Sequence, residues 1–303
     1  MFKLTPPAPG KTGWVNSVLY AFTGNNGDGS GPQGQLMADS HGDLYGTTSN
    51  GGASGSGTVF ELTPPAPGRT SWTESVLYSF AGAPGDGTYP NGGLILDAHE
   101  DLYGTTNGGG SGGCFSGYGG GTVFRLTPPA APHTAWTESV LYSFKGANGD
   151  GAAPYGGIIA DASGALYSTT ESGGGRRFGT LFKLSSPALG QANWTESILY
   201  RFTKANGSPF AGLIAYGGDL YGTTSAVVFK LMPPSPGQTD WTESVLHFFE
   251  NEGHYAIPTG GVLARAGVLY GTTEYGGSSG SGNVFKLQLV GATSSTFNAN
   301  PSL

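Results

Sequence analysis

A chain of 303 residues carrying 56 Gly, 20 Pro and only 11% charged side chains cannot be mainly helical, because each interior Gly or Pro costs a helix about 1 or 3 kcal/mol relative to Ala. A formal charge of −7 and the absence of any basic stripe exclude the usual electrostatics of nucleic-acid binding. The one cysteine, Cys114, allows no intrachain disulfide, and no apolar run reaches the ~18 residues of a membrane-spanning helix.

Strand-like sequence starts at once. Met1–Thr5 reads as repeat sequence and not as a signal peptide. Trp14 opens the segment WVNSVLYAF, followed by a Gly-rich loop, GQLMADS, DLYGTT, a Gly/Ser loop and TVFELTPP. The same order recurs from Trp72, Trp136, Trp194 and Trp241, at spacings of 58, 64, 58 and 47 residues. These five are all the tryptophans in the chain. Each copy offers four short segments rich in Val, Leu, Ile, Phe, Tyr and Thr, bounded by Gly, Pro, Asn or Asp, which is the signature of strands. Alternation within WTESVLYSF predicts that Trp72, Val76, Tyr78 and Phe80 share one face.

Four strands per copy in five copies predict an all-β, five-bladed β-propeller, with a solenoid as the rival. The repeats run at about 2–59, 60–123, 124–181, 182–228 and 229–284, within a single domain spanning 1–303, with a tail at 291–303. In order from the axis, the strands are GGLILD (a), DLYGTT (b), TVFELT (c) and WTESVLYSF (d). The last copy lacks strand d, so the N-terminal Trp14 segment is expected to complete it and remove an open edge. Phe2-Lys3-Leu4 is then a surplus copy of strand c. A monomer is expected.

GGLILDAHEDLYGTT, followed by a Gly-rich loop and TVFELTPP, resembles the repeat of the Gloeo-Verruco (GloVer) family over roughly residues 2–290. The strand a–turn–strand b part is also similar to repeats of NHL-type propellers. Ser168 in LYSTT and Tyr216-Gly217-Gly218 depart from the commonest pattern. The resemblance implies a bacterial propeller, extracellular or on the cell surface, and supplies no catalytic residues.

In this phasing the d–a and b–c loops share one face, where a variable surface on a rigid scaffold can carry function. Asp28, Asp86 and Asp150 recur in Gly-Asp-Gly loops of that face. They suit turn chemistry and are too few per loop for a good calcium site, the only cofactor these loops suggest. Tyr89, Tyr155, Phe210 and Tyr255, with Gln33 in the first copy, lie near the start of the inner strands. They can stack on a sugar or cap the core. Irregular copies add Arg176 and Arg177, and Glu250, Glu252 and His254, an acid/base set compatible with glycoside cleavage. The favoured expectation is non-catalytic recognition of a glycan, surface polymer or protein. The alternatives are a carbohydrate-active enzyme with one site in the funnel and a purely structural display scaffold.

Overall fold

The computed structural model describes residues 1–112, 119–175, 177–188, 191–249, 256–277, 279–289 and 299–300. They contain strands and turns and no helix. Five antiparallel sheets are arranged as a five-bladed propeller, each ordered a–b–c–d where all four strands are present. In the first sheet these are Met37–Ala38, Leu44–Gly51, Thr58–Thr63 and Thr73–Ser79. The second has Ile95–Leu96, Leu102–Thr106, Thr122–Thr127 and Thr137–Ser143. The third has Ile159–Asp161, Leu166–Gly173, Thr180–Ser185 and Thr195–Arg201. The fourth has Ile214–Tyr216, Asp219–Thr223, Val227–Met232 and Thr242–Phe248. The fifth has only a, b and c, at Leu263–Arg265, Val268–Thr272 and Val284–Gln288.

The LYGTT motif joins each sheet to itself and to the next. Its Gly makes room for the strand-c Phe, since a Cβ on Gly104 would lie 2.6 Å from Phe124 Cζ. Its first Thr crosses to the next sheet: Thr47 Oγ1 donates to the Gly92 carbonyl at 3.0 Å and Thr105 Oγ1 to that of Gly156 at 2.9 Å. Its second Thr bonds within the sheet, Thr106 Oγ1 to Thr122 Oγ1 at 2.8 Å. Packing follows the same relay. Phe80, at the end of strand d in the first sheet, meets Phe124 of the second edge-on at 5.1 Å, and Phe144 meets Phe182 in the same way at 5.0 Å. All four rings are fully buried.

The predicted single face of strand d does not survive. In every complete sheet the c–d register shifts by one residue, so that Val123 pairs with Tyr142 while Phe124 pairs with Val140. This bulge leaves Leu141 as an extra residue and reverses the face that follows it. Trp194 and Ile198 therefore pack back on the second sheet, whereas Leu199, Tyr200 and Phe202 pack forward on the fourth. One strand serves two junctions.

Closure by the N-terminal strand is also corrected. Val15–Val18 pairs with Phe2–Thr5 and not with Val284–Gln288. The supposedly surplus strand-c copy has taken the edge, and in the standard register: Phe2 opposes Val18 as Phe60 opposes Val76. A loop of about nine residues closes this hairpin, against one of about 265 for the pairing across the termini. That difference favours the local partner by roughly 3 kcal/mol in chain entropy. Val284 is consequently 81% exposed, although Val59, Val123, Leu181 and Val228 in the same position are fully buried. The hairpin still holds its place in the relay, with Phe22 edge-on to Phe60 at 4.8 Å. From the C-terminal tail, Ala299–Asn300 pairs with strand a of the third sheet.

Candidate functional site

Short ladders bring the d–a and b–c loops together on one face. Gly29–Pro32 pairs with the far end of strand b in the first sheet, Gly87–Thr88 with Gly108–Gly109, and Gly151–Pro154 with the far end of strand b in the third. On this face, between the second and third sheets, lies a groove of about 700 Å³. Tyr89, Asn107, Asn148, Ser172 and Arg177 are its polar and aromatic lining residues, and glycines and alanines form the remaining wall.

Backbone strain marks the same place. Among the described residues seven non-glycine residues have positive φ, and four of them, Tyr89 (57°), Asn148 (56°), Ala153 (55°) and Arg177 (67°), line this groove. The comparison between copies is direct. Tyr89 and Ala153 each precede a proline in the same turn in which the first copy has Gly31, at φ 67°. Glycine adopts that conformation freely, whereas an L side chain is penalised by about 1 kcal/mol or more. The second copy therefore holds a tyrosine where the fold alone would favour glycine.

The other aromatic candidates lie elsewhere. Tyr155 and Phe210 follow their prolines instead of preceding them, as Gln33 does in the first copy, and a contact between the third and first sheets at Tyr155 and Gln33 puts this set near the axis, at the mouth of the central funnel. Tyr155 donates to Gln33 Oε1 at 3.0 Å and meets Phe210 edge-on at 6.0 Å. Glu171 and Glu274, both directly after a Thr-Thr pair, also face Tyr155 and push its phenol pKa up, after burial itself. Burial raises the Glu171 carboxyl as well, opposed by the Asn107 amide. Sequence reasoning passed over Glu171, Glu274 and Asn107. The usable signal was their shared position after Thr-Thr, occupied by Ser49 and Ser225 in the other two copies. Arg176, Glu250, Glu252, His254 and Tyr255 lie outside the described residues.

The Gly-Asp-Gly aspartates serve their own loops. Asp28 Oδ2 accepts from Thr23 N at 2.6 Å, Asp86 Oδ2 from Ala81 N at 2.6 Å, and Asp150 Oδ2 from Lys145 N at 2.7 Å. Asp39, His41 and Asp43 cluster closely enough to hold a metal ion, yet turn chemistry accounts for their geometry. Asp39 Oδ1 accepts from the backbone of His41 and Asp43 at 2.8 and 2.9 Å. Asp161 forms the same turn with Ser163 and Ala165, which offer no metal-binding side chain.

No helix among the described residues is long and apolar enough to cross a membrane. In structure the chain is similar to a glucose dehydrogenase (14% identity, 86% of this chain and 84% of that one, TM-score 0.47). It is also similar to an α-L-arabinanase from Cellvibrio cellulosa (15%, 89% and 96%, 0.37) and to an exo-1,5-α-L-arabinanase from a bovine ruminal metagenomic library (13%, 89% and 96%, 0.38). No curated protein matches it in sequence. The Gloeobacter/Verrucomicrobia repeat profile matches residues 1–230, and by that match, together with the five tandem blades, the chain belongs to the Gloeobacter/Verrucomicrobia repeat family.

Proposed function

We propose that this propeller is a non-catalytic recognition module, secreted or surface-exposed, that binds a carbohydrate chain in the groove between the second and third sheets. The observation that carries the reading is Tyr89, held in a left-handed conformation at the wall of a 700 Å³ groove. Strain of this kind persists where the surroundings enforce it, and it concentrates at ligand sites. A tyrosine ring offers a flat apolar face for a sugar ring and a hydroxyl for its edge. Asn107, Ser172, Arg177 and the glycine-loop amides supply directional polar contacts. No carboxylate lines the groove among the described residues, which favours binding over two-carboxylate hydrolysis there.

Affinity electrophoresis through gels containing neutral polysaccharides tests this. The wild-type chain should be retarded by at least one polymer, and Tyr89→Gly should lose more than tenfold in affinity. The variant should be as stable as wild type or about 1 kcal/mol more so, because it restores the residue of Gly31. A Tyr89→Gly chain that binds as wild type does would overturn the reading.

A second reading rests on Glu171 and Glu274 around Tyr155. Two carboxyls at a funnel mouth, one with a raised pKa, are the parts of a glycosidase. Under it, Glu171→Gln would abolish hydrolysis of an oligosaccharide panel while leaving groove binding intact. No turnover by the wild-type chain dismisses it.

A further inference from the structure

The outer rim of the propeller repeats one polar arrangement at successive junctions. Each consists of the tyrosine of one strand d, the acidic residue of the loop after it, and the glutamate of the next strand d. At the junction of the hairpin with the first sheet these are Tyr20, Asp28 and Glu74. Between the first and second sheets they are Tyr78, Asp86 and Glu138, with Tyr78 Oη donating to Asp86 Oδ2 at 3.2 Å. Between the second and third they are Tyr142, Asp150 and Glu196, with Tyr142 Oη donating to Glu196 Oε2 at 3.3 Å and Arg201 nearby. In all three the two carboxyls face each other across the junction. Glu74, Glu138 and Glu196 each bury an Oε1 that has no donor, as Glu243 does at the next junction, but only in the first three does an aspartate face the glutamate, and Asp28 and Asp150 each bury an Oδ1 without a donor as well. Two facing carboxylates would leave these acceptors unsatisfied and repel one another.

The fourth copy shows what is missing. Between the third and fourth sheets the loop is shorter and carries no aspartate; there Asn206 faces the glutamate instead, its amide donating to Glu243 Oε2, which also accepts from Tyr200 Oη at 2.7 Å. One partner of the glutamate is there a built-in hydrogen donor. Where the facing group is Asp, a proton on one carboxyl can play that part.

We propose that the first three junctions are each closed by a proton shared between an aspartate and a glutamate, making the propeller rim a pH-sensitive clasp, tight in mildly acidic surroundings and loosened above neutrality. The electrostatics agree. Burial, and then the facing aspartate, raise Glu138 and Glu196 to about 7 and push Glu74 up as well. For Glu243 burial raises the carboxyl, while Tyr200 and Asn206 oppose it. A carboxyl raised in the folded state is held protonated. Its stabilisation is therefore complete below the unfolded value near 4.5 and is lost as pH rises to about 7.

The melting temperature of the whole chain should fall by about 5 °C between pH 5 and pH 8. The Glu138→Gln, Glu196→Gln double variant should lose more than half of that drop and melt above wild type at pH 8, because an amide donates without titrating. A merely structural role predicts a uniform loss at both pH values instead. Infrared spectra of the wild-type chain supply a second readout that needs no variant. A carboxylic-acid carbonyl band should be present at pH 6 and absent at pH 9. Absence of that band at pH 6 would overturn the proposal. So would a rise in melting temperature on adding Ca²⁺ at pH 8 that the double variant abolishes, since the pairs would then hold a cation.

Discussion

Phe124→Ala should lower the free energy of unfolding by about 3–5 kcal/mol, the range for removing a fully buried Phe. Phe124 has no solvent exposure and packs with Tyr45, Val59, Phe80, Leu94, Leu102 and Leu126. Its neighbours cannot easily collapse into the space. On one side the site is bounded by Gly104, whose backbone is held opposite Phe124 itself by the strand b–c pairing. On the other it is bounded by Phe80, which ends a strand belonging to the preceding sheet. The lost ring therefore uncouples two sheets as well as opening a cavity. Urea denaturation followed by tryptophan fluorescence measures it, and a loss below about 1.5 kcal/mol would contradict the relay of phenylalanines through the junctions.

Gly104→Val should destabilise by roughly 3 kcal/mol, from the upper end of overpacking costs. The added Cβ would sit 2.6 Å from Phe124 Cζ and 2.7 Å from Leu94 Cδ2, so both side chains must leave their positions. Gly104→Ser should cost less, about 1 kcal/mol. The third copy already carries Ser168 there, its hydroxyl bonded to the Gly157 carbonyl at 3.0 Å and its strand-c ring, Phe182, still fully buried. Thermal unfolding of both variants gives the order Ser before Val. The reverse order would mean that hydrogen-bonding capacity and not volume sets the choice of residue in LYGTT.

The architecture was legible because each copy states it independently. Four strand segments, their order and their common loop face all follow from turn residues and apolar runs. Two features were not legible, each for a physical reason. The bulge at Leu77, Leu141, Leu199 and Leu246 leaves no mark in the alternation of WTESVLYSF, since a single extra residue only shifts phase within an already apolar stretch. The choice of partner for Val15–Val18 depends on competition between two copies of the same strand-c sequence, and local closure decides it. Around the groove, the sequence singles out Tyr89 for its aromatic ring but groups it with Tyr155, treating two positions on opposite sides of a proline as one. Glu171 was missed because a lone glutamate after Thr-Thr signals nothing until the sheets place it beside Tyr155 and Asn107.

Hydrogen–deuterium exchange, with and without a polysaccharide that retards the chain on affinity gels, tests the assignment of the groove most directly. Residues 87–90, 107–109, 146–153 and 172–175 should gain protection on binding, while the matching loops of the first junction, residues 24–31 and 49–52, stay as they were. Equal protection at both junctions, or protection confined to Tyr155, Glu171 and Glu274 at the funnel mouth, would contradict it.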